Sequence, residues 1–251
     1  MGEALGSNGA GIVSVTPMLE EDIAPELPRI HPINTSLKTK AEVQDAIGEA
    51  KRLQLPLHAD PPKTWDSLGA LYEVLTRTAP QSRILDAGAE WYSCLLPWLS
   101  LYGYRNLIAN NLTFDAGGRR QGPISYEYGD ITQTTYKDGS FDAVTCLSVV
   151  EHGVDWSSYF REMRRIIKPG GLLVTSTDYF ETATDPKGQS AFGVPIHIFT
   201  REEIVHTFQL AEDFGFELTG DVDLECAERA ISWKEFDLSY TFLIFSMLRV
   251  P

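Results

Sequence analysis

Cysteine is scarce in this chain. The three present, Cys94, Cys146 and Cys226, are far apart and form no CxxC pair, so spacing suggests neither a metal site nor a disulfide framework, and a reducing compartment fits. Basic residues are in deficit, 21 Lys and Arg against 35 Asp and Glu, for a formal net charge of -14. At that balance a nucleic-acid backbone is repelled rather than attracted. The one basic cluster, Arg161, Arg164, Arg165 and Lys168, falls at the end of an expected helix, where cations suit the helix dipole. No apolar run approaches the roughly 18 to 20 residues of a membrane span, and the N-terminus lacks a basic segment followed by an apolar stretch. The expectation is a cytoplasmic protein with no nucleic-acid or membrane partner. Internal repeats and low-complexity blocks are also lacking.

What is present is an ordinary globular composition, 43% hydrophobic and 22% charged over 251 residues, near the upper size for one α/β domain. Residues 1–36, rich in Gly, Pro, Ser and acids without sustained periodicity, read as a tail or wrap-around segment. The domain then runs over 37–251 and opens with a helical cap at about 37–80. Helices are expected at 40–53 and 64–78, separated by the turn-forming stretch 57–62; in the second, Leu68, Leu71, Tyr72 and Leu75 fall on one face. From Arg83 onward short apolar runs alternate with helical patterns. That alternation specifies an α/β fold, a mostly parallel sheet with helices on both faces. Strands are expected at 83–88, 106–111, 124–129, 141–148 and 171–177, and helices at 93–102, 157–168 and 200–214. The last helix opens with Thr200-Arg201-Glu202-Glu203, a capping box. Two closing strands, 217–224 and 240–248, are joined by a long connection without a helix, a hairpin-like ending.

Four segments have the residue types that chemistry needs. Leu85-Asp86-Ala87-Gly88 ends an apolar strand at a turn into a helix, the place in such sheets where backbone amides point into a ligand crevice. In Tyr128-Gly129-Asp130-Ile131 a carboxylate can accept from an exocyclic amine while Ile131 covers a ring face. The strand Phe141–Ser148 delivers Glu151 and His152 just beyond its end, and a histidine there can take a proton from a hydroxyl or amine. The fourth, Arg165-Ile166-Ile167-Lys168-Pro169-Gly170-Gly171, is a tight connection from helix to strand.

In this order and at these separations, the segments resemble the class I S-adenosylmethionine-dependent methyltransferases, particularly the methyltransferase type 11 subgroup, over about 83–179. The resemblance implies a Rossmann-like seven-stranded sheet with an antiparallel last strand, and S-adenosylmethionine as cofactor. It implies that Asp86, Ala87 and Gly88 approach the methionine part, that Asn111 stands where the family has a ribose-binding acid, and that Asp130 and Ile131 surround adenine. The backbone at Leu147 and Ser148 would meet the amino group, and His152 and Glu151 would face the acceptor. Two departures stand out. The family loop usually reads Asp-x-Gly-x-Gly-x-Gly, whereas here Glu90 and Tyr92 occupy the second and third glycine positions and must point away from the ligand or obstruct it. Asn111 is an amide in place of an acid, which loses charge assistance in any bond to ribose.

On the acceptor side, Trp65 reads as a core anchor or a lid, Asp178 and Tyr179 end the fifth strand, and His197 follows a loop long enough to act as a cover. The expected function is methyl transfer to a small-molecule or glycan-precursor acceptor, oxygen favoured because His152 can serve as a base. The alternative is a catalytically silent descendant of the fold that binds a ligand or partner, for which Glu90, Tyr92 and Asn111 speak.

Overall fold

The computed structural model describes residues 26–251; most of the expected tail, 1–25, lies outside the described residues. Seven principal strands, β1 (Arg83–Ala87), β2 (Asn106–Asn111), β3 (Ile124–Tyr128), β4 (Phe141–Leu147), β5 (Ile167–Tyr179), β6 (Phe216–Leu218) and β7 (Leu238–Arg249), alternate with five helices. The helices are α1 (Lys40–Arg52), α2 (Thr64–Arg77), α3 (Leu95–Leu101), α4 (Trp156–Ile166) and α5 (Arg201–Asp213). The sheet order is β3-β2-β1-β4-β5-β7, with β6 on the outer edge of β7. The strands from β3 to β5 are parallel, and β7 runs antiparallel to β5. This is the expected Rossmann-like arrangement.

Residues of one strand sort strictly by parity. In β5, Leu172 and Val174 join the core beneath α1, α2 and α3, while Leu173 joins the core beneath α4 and α5; in β7, Phe242 and Ile244 take the first side, Leu243 and Phe245 the second. A strand buried on both faces reads as a continuous apolar run for this reason. Helix starts follow the local chemistry. Thr39 accepts from the Glu42 amide, Asp155 accepts from the Ser158 amide, and Thr200 with Glu203 forms the complete capping box.

Among the described residues the sheet carries ten strands rather than seven. The expected strand 217–224 stops at Leu218 because other segments take its place beside β7. Phe216–Leu218 pairs antiparallel with Met247–Arg249, as the hairpin-like ending requires, while Thr35–Ser36 pairs with Leu243 and Ile244, and Ile231–Trp233 pairs with Leu238–Tyr240. Asn34, at φ 51, accepts the Ser246 amide through Oδ1 (2.8 Å) and donates to Thr219 and Gly220. Three short segments thus satisfy an edge that would otherwise expose a row of unpaired backbone groups. At the opposite edge Arg119–Gln121 folds back on β3. β5 also begins earlier than expected, at Ile167, and its register on β4 shifts between Phe141 and Ala143 to absorb Pro169-Gly170-Gly171. A Cβ on Gly171 would lie 2.9 Å from the Asp142 carbonyl oxygen, so the shift needs glycine there.

The basic cluster is engaged within the protein. Arg165 binds Glu162, Asp138 and the Tyr136 carbonyl, Arg164 donates to Val250 O, Lys168 pairs with Asp142, and Arg161 lies over Phe214. Among the described residues no helix is long and apolar enough to cross a membrane.

Candidate active site

The carboxyl ends of β1, β2, β3 and β4 open into one cavity of about 590 Å³, within the range of about 300 to 1,000 Å³ typical of small-ligand sites. Gly88, Asn111, Asp130, Ile131, Ser148 and His152 all line it. Six sequence-derived candidates therefore converge on a single space. Gly88 has φ +81, and a Cβ there would meet both methyl groups of Val149 at 2.6 Å, so the close approach of loop to wall needs glycine. Its amide donates to the Asn110 carbonyl (2.9 Å), which anchors the loop to β2. Ser148 is held at φ 53, a strained region for a side-chain-bearing residue, by its amide donating to both the carbonyl and the hydroxyl of Ser176. Asp130 Oδ1 accepts from the amide and hydroxyl of Thr132, and the turn fixes the carboxylate at the cavity wall.

Glu90 and Tyr92 line the cavity without filling it. Tyr92 is 55% exposed and meets His58 edge to face. Asn111 turns toward the loop: its Nδ2 donates to the carbonyls of Gly88 and Ala89 (both 3.0 Å) and to Glu90 Oε1 (3.2 Å), while its Oδ1 accepts the Thr113 amide. The side chain expected to face ribose is thus committed to the loop.

Asp86 sits behind the loop, on a small second cavity of about 30 Å³ that also touches Asp66, Lys63, His58, Cys94 and Leu147. Burial raises the Asp86 carboxyl to about 7 against the opposing bond from Thr145 (2.8 Å). Burial likewise raises Asp66, which accepts from Ser176 (2.6 Å) through Oδ2 while Oδ1 has no partner among the described residues. Glu151 and Asp178 complete this group. Burial pushes both carboxyls up, Asp178 further because Glu151 stands beside it. Lys63 faces these acids; burial works against its charge, but Glu151, Asp178, Asp66 and Asp60 outweigh that and hold the ammonium above its ordinary range. Lys63 lines both cavities and so connects the acids to the larger space.

His152 lies at the far end of the larger cavity. Burial, helped by the Lys63 charge, lowers it to about 4, so at neutral pH the ring carries a free lone pair. Phe192, 77% exposed at the tip of the hairpin Ser190–Ala191/Val194–Pro195, meets His152 edge to face at 4.9 Å. With Val194 it forms that end of the wall.

Other candidates fall elsewhere. Trp65 is 1% exposed in the core beneath α2, an anchor and not a lid. Tyr179 follows Asp178 by one residue and so projects to the opposite face, where its hydroxyl donates to Leu224 O (2.7 Å). His197 is near the start of α5, paired with Glu203 and against Phe199, outside both cavities. Ala87 is fully buried in the sheet, and Leu147 reaches only the small cavity. Sequence reasoning passed over Lys63, Leu112, Val149 and Phe192 as site residues. Leu112 carried a signal, an apolar residue just past a strand end, 60% exposed at the cavity.

Residues 99–175 match the family model described as a methyltransferase domain. The chain is 27% identical over 116 residues to a sterol 24-C-methyltransferase of Aspergillus fumigatus, covering 44% of this chain and 31% of the relative. It is 39% identical over 64 residues to a demethylmenaquinone methyltransferase of Deinococcus radiodurans, covering 26% and 27%. The chain therefore spans less than a third of the length of these curated relatives. Its fold is similar to that of the Streptomyces coelicolor geranyl diphosphate C-methyltransferase, solved with Mg2+, geranyl diphosphate and S-adenosyl-L-homocysteine, at TM-score 0.52 and 18% identity, covering 83% of this chain and 82% of the other. Sheet order and the position of the loop agree with the Rossmann-like fold of S-adenosylmethionine-dependent methyltransferases, and the segment 99–175 is similar to their methyltransferase domain.

Proposed function

We propose that this protein transfers a methyl group from S-adenosylmethionine to a small-molecule acceptor, with oxygen favoured as the accepting atom. The observation that supports this best is the cavity shared by Gly88, Asp130, Ile131 and His152, which stays open although Glu90 and Tyr92 replace glycines. Asp130 and Ile131 would hold the base, the loop at Gly88 the methionine part, and His152 would face the acceptor. The bound cofactor supplies a methyl group on a positively charged sulfur. The chain's part is alignment, since holding reacting atoms within roughly 3 to 3.5 Å accounts for much of the acceleration.

An oxygen acceptor is favoured because a hydroxyl must give up its proton as it is methylated, and His152, neutral at physiological pH, can receive it. A base this weak acts at the low end of its range, so His152→Ala is expected to lower turnover by about a hundredfold while leaving cofactor affinity within about threefold. Unchanged turnover would remove His152 from the mechanism.

The direct test is titration of the purified protein with S-adenosylmethionine and S-adenosylhomocysteine, followed by heat and by melting temperature. A ligand that binds only the folded state stabilises it by about 2.7 kcal/mol at a hundred times its dissociation constant. No response at millimolar concentration would favour the catalytically silent reading.

A further inference from the structure

The two departures from the family's loop and strand-end pattern meet in space. Glu90 Oε1 accepts from Asn111 Nδ2 at 3.2 Å, and the same amide nitrogen lies 3.0 Å from the carbonyls of Gly88 and Ala89. An acid at position 111 would have no hydrogen for any of these three acceptors and would set a second carboxylate against Glu90. Like charges at that distance oppose each other strongly in a partly dry site. Glu90 and Asn111 therefore depend on one another, and the pair keeps one carboxylate while changing the element that carries it.

Glu90 is well placed to use that charge. Its amide donates to Ser93 Oγ (2.9 Å) and its carbonyl accepts the Ser93 amide (3.0 Å), so the backbone is held on both sides. It is absent from the side-chain-bearing residues with positive φ, so the position does not need glycine. None of the ion pairs among the described residues involves it. Asn111 holds one oxygen, and the other accepts no hydrogen bond from the described residues although Glu90 lines the cavity. A nucleoside spanning from Gly88 to Asp130 and Ile131 passes this point with its vicinal diol, two hydroxyl donors that require acceptors. Asn111 is a poor one: its Nδ2 is occupied by the loop and its Oδ1 already accepts from Thr113.

We infer that Glu90, oriented by Asn111, is the acceptor for the ribose hydroxyls of the bound nucleoside, so that the loop replaces the end of β2 as the source of the sugar-reading carboxylate. This rests on the cofactor assignment proposed above, and the experiment separates the two. The full chain is titrated calorimetrically with S-adenosylhomocysteine and with its 2′-deoxy and 3′-deoxy forms. Wild type is expected to bind at least one deoxy form about tenfold or more weaker than the parent, the scale of a hydrogen bond to a charged group. Glu90→Gln, with its folding checked by melting temperature, is expected to bind the parent about tenfold weaker and to discriminate the deoxy form by no more than about threefold. Asn111→Asp is expected to weaken parent binding at least as much, and adding Glu90→Gln to it to recover part of the loss. Undiminished sugar discrimination in Glu90→Gln, or none in wild type, overturns the inference and leaves the cofactor assignment standing. Failure of wild type to bind the parent nucleoside overturns both.

Discussion

Gly88→Ala is expected to weaken binding of S-adenosylmethionine by at least about a hundredfold and to lower stability by about 2 to 4 kcal/mol. Two separate costs combine. At φ +81 any L-side chain is strained, by about 1 to 2 kcal/mol. The new Cβ would also lie 2.6 Å from Cγ1 and Cγ2 of Val149, a branched residue with no extended arm to swing away. Relief requires either the loop to lift from β2, breaking the bond from the Gly88 amide to Asn110 O, or the segment from Ser148 to His152 to retreat. Each movement displaces cavity wall by a sizeable fraction of an ångström, and both walls line the proposed ligand site. Val149→Ala in the same chain separates the costs. It removes the two 2.6 Å contacts and leaves only Cβ of residue 149 at 3.1 Å, so stability should recover by about 1 to 3 kcal/mol while the φ strain remains. Calorimetric titration and chemical denaturation of the two variants measure these effects, and wild-type affinity in Gly88→Ala would show that the loop does not touch the ligand.

The parts legible in the sequence are those whose signals are local. The apolar run ending at Gly88 and the capping box at Thr200 each depend on residues within one turn or strand of each other, and each appears where expected, whereas α4 ends at Ile166, ahead of Pro169-Gly170, which fall inside β5. The convergence of Gly88, Asn111, Asp130 and His152 was legible too, because parallel strands in a known order bring their carboxyl ends to one edge. What escaped depends on distant partners. Strand 217–224 has the right composition, but Asn34, nearly two hundred residues earlier, takes the backbone partners its continuation would have used. Asp178 and Tyr179 read alike as strand-end polar residues, yet period-two geometry sends one toward Lys63 and the other to Leu224. Glu90 and Asn111 looked like independent losses because nothing in the linear order shows that their side chains touch.

The second large effect concerns charge. Asp86→Asn is expected to alter the pH dependence of stability by about 4 kcal/mol between pH 4 and pH 8. A carboxyl raised from 3.8 to about 7 in the folded protein is protonated there over a range in which the unfolded chain has released its proton. Its stabilising contribution is therefore complete below about pH 4 and is lost as pH rises through 7, at about 1.36 kcal/mol for each pH interval of one between those limits. Histidines 58 and 152, both lowered by burial, act in the opposite sense: their contribution is present above about 6.5 and lost as pH falls, for His152 through about 4. In wild type the two effects partly cancel between pH 4 and 6.5. The difference between wild type and Asp86→Asn isolates the acid, and should grow in favour of the variant as pH rises. Identical profiles would show that Asp86 titrates as an ordinary surface acid. Methyl-donor binding should reverse the trend. With the methionine part at the Gly88 loop, as proposed, S-adenosylmethionine would bring a sulfonium and an ammonium toward the small cavity that Asp86 and Asp66 line behind that loop, favouring the ionised acids that folding alone disfavours. Its affinity should then rise with pH up to about 7 in wild type and much less in Asp86→Asn. The desolvation cost stored at these acids in the free protein would be offset when a cation of the right size arrives, so an affinity independent of pH would place the donor's charge away from Asp86.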